Sequence, residues 1–173
     1  MANYKALLKH IDTFIFDYDG VMTDGMVILQ HEGQPLRSAN VMEGYVLQLL
    51  VKLGYNVVII SGGLSRSMEN RLEMLGIVDM FLGAKDKKQI LSKYLDEKNI
   101  DPKHVVYMGD DIPDYHVMKM VGLPVCPADA AEEIKEISIF ISDKKGGDGC
   151  VRDIVEQVLK VQGKWMTGEA FSW

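Results

Sequence analysis

Three apolar runs, each broken off by small or acidic residues, constrain what this chain can fold into. Thr13-Phe14-Ile15-Phe16 stops at Asp17, Asn56-Val57-Val58-Ile59-Ile60 stops at Ser61-Gly62-Gly63, and Val105-Val106-Tyr107-Met108 stops at Gly109-Asp110-Asp111. Runs without polar alternation mark strands buried on both faces, the habit of parallel sheets. Between them lie segments of helical period. Glu43 to Leu53 carries Val46, Leu47, Leu49, Leu50 and Leu53 on one stripe, and Gly54 ends it. Ser65 to Leu75 is a second such segment, closed by Gly76, and Asp86 to Lys98 a third. A short strand at Met80-Phe81-Leu82 falls between those two. A helix over Ile112–Met120 with Pro113 in its first turn follows, then short strands at Leu123–Val125 and Ile137–Ile141 and a helix over Cys150–Val161. This alternation predicts an α/β fold, a doubly wound parallel sheet with helices on both faces. Two β-prone stretches around Gly33, within residues 24–40, predict a hairpin inserted after the first strand.

In an open sheet of this kind ligands bind at the carboxyl ends of the strands. Asp17 and Asp19 stand there at i, i+2, on one face of an extended chain, and Gly20 supports a turn directly after them. Two carboxylates aimed together repel and need a cation or a shared proton. Three readings are open from this stretch alone. It is a solvated acidic turn, a calcium loop, or a nucleophile with a neighbouring acid on a magnesium ion. The calcium loop fails, because its fifth and twelfth positions would be Val21 and Ile28, which offer no ligand.

The rest of the chain adds three elements at the same pole. Ser61 and the Gly62 amide can hold phosphate oxygens, with the following helix N-terminus adding a favourable dipole. Lys85, Lys87 and Lys88 stand where the third helix opens and supply positive charge. Asp110, Asp111 and Asp114 follow the late strand. Each alone reads as an ordinary turn, a solvated lysine or a helix cap. Together, in this order, they describe an oxygen-only site suited to magnesium and a phosphate group, not to zinc.

Composition sets the outer limits. The chain has 173 residues, 47% hydrophobic and 25% charged, which suits one globular domain over residues 1–173. A net charge of −6 without a basic run argues against nucleic acid or an anionic membrane as partner. Cys126 and Cys150 are the only cysteines, too few and too far apart for a disulfide framework or a zinc site. Asp12 interrupts the N-terminal segment where a signal peptide needs an apolar core, and no stretch is long enough to span a bilayer. The expected address is the cytoplasm.

The four elements resemble the four motifs of the haloacid dehalogenase superfamily of phosphohydrolases, over almost the whole chain. That resemblance implies a covalent mechanism. Asp17 attacks phosphorus and becomes an aspartyl phosphate, while Asp19 protonates the leaving alkoxide and then activates water. It further implies that Asp17, the Asp19 backbone carbonyl and Asp110 hold Mg2+, with Asp111 and Asp114 in support. Ser61 and Lys87 hold the phosphoryl oxygens. Lys87 is preferred over its neighbours because the family segment Gly-x-x-x-Lys begins at Gly83.

Many such enzymes carry a separate cap domain. Residues 20–60 between the first two motifs and 62–86 between the next are too few for one. The chain is also similar to the 3-deoxy-D-manno-octulosonate 8-phosphate phosphatases, capless tetrameric members of the superfamily acting in lipopolysaccharide sugar biosynthesis. The residues that carry this are Asp17-Tyr18-Asp19-Gly20-Val21-Met22-Thr23-Asp24-Gly25, Asn40-Val41-Met42-Glu43-Gly44-Tyr45, Gly109 to Asp114 and Gly146 to Arg152. It implies a homotetramer, and a small sugar-acid phosphate met by Asp19, Asn40, Glu43, Gly44, Gly62, Arg66, Arg71 and Lys87.

The chain departs from many members at Met42, Gly63 and Asp148, where arginine is common. Arg66, one helical turn from Gly63, is expected to supply the missing charge. A nine-carbon ketoacid 9-phosphate is the alternative substrate. A non-catalytic assembly module of the same fold is a further alternative, and it predicts a missing motif residue where none is missing. A receiver domain would have its adjacent acidic pair first, the reverse of the order here. The apolar end at residues 163–173, with Trp165, Met166, Phe171 and Trp173, has two readings, folding back onto its own domain or reaching a neighbouring subunit's site.

Overall fold

A computed structural model describes residues 4–172. The chain runs α1 (Tyr4–Leu8), β1 (Thr13–Phe16), α2 (Val41–Lys52), β2 (Asn56–Ser61), α3 (Arg66–Met74) and β3 (Asp79–Leu82). It continues through α4 (Lys87–Lys98), β4 (Val105–Met108), α5 (Tyr115–Met118), β5 (Leu123–Cys126), α6 (Glu132–Ile137), β6 (Phe140–Ile141) and α7 (Cys150–Val161). The six strands form one parallel sheet in the order β3-β2-β1-β4-β5-β6, as expected of a doubly wound fold. The chain reverses its winding between β1 and β4, so the crevice for a ligand opens at their carboxyl ends.

Strand periodicity explains why these runs must be apolar throughout. Phe14 and Phe16 enter one core with Val57, Ile59, Leu47 and Leu159, while Ile15, Val58 and Ile60 enter the other with Leu91 and Tyr107. Successive side chains point to opposite faces, and both faces are covered, so a polar group there needs a partner, as Ser61 and the Tyr107 hydroxyl have. The register Phe16↔Ile59 and Phe16↔Met108 lines up the strand ends. The Asp17 N–H continues the ladder to the Met108 carbonyl at 3.0 Å, which fixes where the first carboxylate leaves the sheet.

Helix starts follow side-chain caps. Asn40 accepts the Met42 N–H, Ser65 the Met68 N–H and Asp86 the Gln89 N–H, each answering an otherwise unpaired first-turn donor. Several local expectations differ. The insertion over residues 24–40 is tied by one antiparallel bridge, Ile28↔Leu36, not by a ladder of strand pairs. Met26, Ile28 and Leu29 stay exposed there, with no second strand to cover them. The expected helix over 112–120 divides into a 3-10 turn, Ile112–Asp114, and the short α5. The expected strand 137–141 shrinks to Phe140–Ile141, because α6 takes Ile137. Cys126 and Cys150 are both buried and free. No helix among the described residues is long and apolar enough to cross a membrane.

The C-terminal segment follows the first of its two readings. It folds back on its own chain instead of projecting from it. Trp165 packs against the core, with the Arg152 guanidinium 5.7 Å from its ring. The Tyr45 hydroxyl donates to the Ala170 carbonyl, and the Lys52 ammonium to the Ser172 carbonyl at 2.9 Å. Met166 and Phe171 remain exposed, and Trp173 lies outside the described residues.

Candidate active site

Four strand ends deliver acidic, hydroxyl and lysine side chains into one cavity of about 680 Å³. Asp17, Asp19, Ser61, Lys87, Asp110 and Asp114 all line it. Gly62 and Asp111 are at its wall as well, and Lys85, Lys88 and His116 reach its edge. Asp17 emerges from β1 buried, its Oδ1 accepting the Tyr18 N–H at 2.7 Å. Lys87, first residue of α4, is also buried and bridges two carboxylates. Its Nζ lies 3.0 Å from Asp17 Oδ2 and 2.8 Å from Asp114 Oδ1. Asp114 accepts a second hydrogen bond, from the Tyr107 hydroxyl at 2.8 Å. Ser61 ends β2 buried, and its Oγ accepts the Gly63 N–H.

The residue after the first acidic pair has to be glycine. Gly20 has φ +86°, and a Cβ there would stand 2.0 Å from Asp110 Oδ2. Only a residue without a side chain lets the two acidic loops close on one another.

Asp17, Asp110 and Asp114 each present one oxygen, all within 4.8 Å of one another. Among the described residues, Asp110 Oδ1 and Asp114 Oδ2 are buried with no hydrogen-bond partner. Buried carboxylate oxygens without a donor cost free energy unless a cation or proton meets them. Three carboxylates share one ammonium. Burial first, then the charge of Asp114, raises the Asp17 carboxyl to about 7 despite Lys87 beside it. Burial, followed by Asp17, Asp114 and Asp111, raises Asp110 to about 7. Burial works against the Lys87 ammonium, yet Asp17 and Asp114 together raise it. The lysine gains from two acids at once, whereas each acid has half a lysine. A hard divalent cation fits this oxygen-only, electron-rich set.

The folded chain holds protons on Asp17 and Asp110 up to about pH 7, whereas an unfolded aspartate releases them near 3.8. Between those values the folded state binds more protons, so acidification favours it. In chelator the melting temperature is expected to rise as pH falls from 8 to 6. Asp110→Asn is expected to raise it at pH 8 by about 2–8 °C, for about 1–2 kcal/mol of relieved repulsion. Calorimetry in chelator checks both, and a lower melting point for the variant would contradict this electrostatic picture.

Asp111 lines the same cavity but is not one of the trio. It is exposed, and its carboxylate caps its own Ile112 N–H at 2.8 Å. None of Asn40, Glu43, Gly44, Arg66 and Arg71 lines the cavity. Glu43 is buried, and both its oxygens are taken by the N-terminus of α7, from Gly149, Val151 and Arg152 N–H groups. Asn40 Nδ2 donates to the Gly147 carbonyl. The Arg71 guanidinium lies over Gly44, where a Cβ would come within 2.2 Å. These segments carry a helix cap and a loop clasp within the chain. Arg66 is exposed and pairs with Glu69 at 2.8 Å, so it does not supply charge beside Gly63.

That charge comes from Arg37, which the sequence reading missed. Its Nε and Nη2 hold the two oxygens of Asp19 at 2.6 and 2.8 Å. Nothing periodic marks Arg37. The available signal was the excess of acid over base among the motif residues. Tyr107 was missed too, since it reads as one more apolar strand residue, yet a buried phenol needs a partner for its hydroxyl.

Known proteins resemble this chain in sequence and fold. A profile of haloacid dehalogenase-like hydrolases matches residues 75–154. The 3-deoxy-D-manno-octulosonate 8-phosphate phosphatase of Yersinia pestis is 35% identical over 155 residues, covering 90% of this chain and 83% of that protein. The same-named phosphatase of Escherichia coli K12 is 34% identical over 163 residues, covering 94% and 87%. The crystal structure of the Moraxella catarrhalis phosphatase, in complex with magnesium ion, phosphate ion and KDO, superposes with a TM-score of 0.91. It is 32% identical, with 95% of each chain covered.

Proposed function

This chain belongs to the haloacid dehalogenase-like hydrolases, among the 3-deoxy-D-manno-octulosonate 8-phosphate phosphatases, and we propose that it performs their reaction through Asp17. The observation that carries this is the trio Asp17, Asp110 and Asp114 at the β1/β4 crevice, with two unpartnered oxygens and Lys87 between them. Asp17 Oδ2 attacks phosphorus, the ester P–O bond breaks, and Asp19 gives its proton to the leaving sugar alkoxide. Asp19, now a carboxylate, takes a proton from the water that hydrolyses the aspartyl phosphate, and Asp17 is restored. Ser61, the Gly62 amide and Lys87 hold the phosphoryl oxygens, so the chain itself does positioning and charge neutralisation.

Asp17, Asp110 and the Asp19 backbone carbonyl would hold Mg2+, with Asp114 and Asp111 in support. When bound it supplies positive charge against the phosphoryl group and keeps the surrounding carboxyls ionised. Residues 1–173 act as one phosphatase domain without a cap. The exposed Met26, Ile28, Leu29, Val41 and Met42 support burial against further copies, as in a homotetramer. Light scattering checks it, and a lone 19.4 kDa species at working concentration would overturn it. A cytoplasmic address goes with this reading, and cell fractionation tests it.

The experiment on function is phosphate release from a panel of sugar phosphates in magnesium. The eight-carbon acid 8-phosphate is expected to exceed a nine-carbon ketoacid 9-phosphate and glucose 6-phosphate by at least ~10-fold in kcat/KM, about the value of one well-placed contact. A preference for the nine-carbon acid would replace the substrate and keep the chemistry. Equal rates on all three would overturn the assignment.

A further inference from the structure

We propose that Arg37 is a positioning residue for the reaction, acting through Asp19 from the insertion that follows β1. The inference rests on the proton-transfer role given above to Asp19. Arg37 is separated from Asp19 by the turn at Gly20–Gly25 and the bridged loop beyond it, so their meeting is a tertiary contact. The fork is bidentate, Nε to Oδ1 at 2.6 Å and Nη2 to Oδ2 at 2.8 Å, with the Arg37 side chain 10% exposed. Planar two-point pairing fixes both the direction and the tilt of a carboxylate, which a single ammonium contact does not.

The surroundings are shaped for the pair. A Cβ at Gly63 would stand 2.7 Å from Asp19 Oδ2, 3.0 Å from Arg37 Nη2 and 3.4 Å from Ser61 Oγ. Any side chain there displaces either the acid or the arginine. The arginine is itself anchored. The preceding Leu36 exchanges both backbone hydrogen bonds with Ile28, at 3.0 and 3.1 Å. Arg37 Nη1 donates to the Pro35 carbonyl, and Gln34 Oε1 accepts the Arg66 N–H at the start of α3. The insertion therefore reaches Asp19 through the Arg37 side chain, and Asp19 stands outside the trio Asp17, Asp110 and Asp114. For the first step the Asp19 proton sits on an oxygen lone pair that the fork leaves open; it passes to the leaving oxygen, and the fork then holds the carboxylate that takes a proton from water.

The effect should depend on the leaving group. A sugar alkoxide needs the proton that Asp19 delivers, whereas p-nitrophenolate leaves without one. Asp19→Asn and Arg37→Ala are each expected to lower kcat on the sugar phosphate at least ~10-fold more than on p-nitrophenyl phosphate, within the usual span for one acid–base group. In the double variant the Arg37 loss should vanish, because there is no acid left to orient. Arg37→Lys should recover only part, for want of the fork, and added guanidinium should partly rescue Arg37→Ala.

Losses of Arg37→Ala that are equal on both substrates, or that add in full to Asp19→Asn, overturn the proposal. So does a rise in KM with kcat unchanged, which would make Arg37 a direct substrate contact. If Asp19→Asn itself shows no leaving-group dependence, the role of Asp19 fails first, and that outcome is distinct from failure of Arg37 alone. Folding is controlled by the melting temperature of Arg37→Lys.

Discussion

Asp17→Asn is expected to lower phosphate release by a factor on the order of 10⁴ or more while the protein stays folded. An amide nitrogen or carbonyl at that position cannot attack phosphorus, and no second carboxylate can replace it. Asp110 and Asp114 are turned into the same crevice but belong to the cation cluster. The retained Asn oxygen can still accept the Tyr18 N–H that Asp17 Oδ1 accepts at 2.7 Å. Lys87 keeps Asp114 at 2.8 Å as its partner. In the absence of metal, removing a carboxyl held up near pH 7 by burial and by Asp114 should leave stability equal or higher. Steady-state rates and a melting curve, taken on the same preparation, check both halves. Residual turnover above about 1% would sink the nucleophile assignment.

Removing the divalent cation is expected to have a comparable effect. Chelator should abolish turnover and magnesium restore it, because Asp110 Oδ1 and Asp114 Oδ2 are buried without a hydrogen-bond partner and one ammonium cannot neutralise three carboxylates. Magnesium at 100 times its Kd should also stabilise the protein by about 2.7 kcal/mol, or about 5–10 °C in melting temperature. Calcium should bind and inhibit, since its longer, looser oxygen shell displaces the phosphoryl group from Asp17. Full activity in calcium, or undiminished activity in chelator, would mean that the carboxylate trio has been misread.

The main lines of the fold were legible because buried parallel strands leave so little choice of residue. Phe14-Ile15-Phe16 and Val57 to Ile60 must be apolar on both sides, and the α7 bounds were readable because a two-sided helix shows its stripe. Weakly amphipathic pieces were not readable. Glu132–Ile137 buries only Ile134, so nothing in its charged sequence separates a helix from a loop. The insertion has apolar residues at strand-like positions but makes one bridge, since pairing depends on a partner strand the sequence cannot display.

At the site, the carboxylates and Lys87 could be located because chain position at a strand end sets where a side chain emerges. Their division of labour was harder. Glu43 looked like a ligand for a sugar, but the N–H groups of Gly149 and of the first turn of α7 claim it, a contact across more than a hundred residues. Arg66 looked like the nearby cation by spacing along α3, yet the cation at Asp19 is Arg37, brought in by loop geometry. Residue type and order pointed to the chemistry, and only folding decides which charges are spoken for.

The most direct test of the covalent account is to trap the aspartyl phosphate. The protein is quenched during turnover of the eight-carbon sugar phosphate in magnesium and treated with hydroxylamine, which converts an acyl phosphate to a hydroxamate. Peptide mapping is expected to find the hydroxamate at Asp17, dependent on substrate and absent in Asp17→Asn. A hydroxamate at Asp19 or Asp110, or active turnover with none at Asp17, would contradict it.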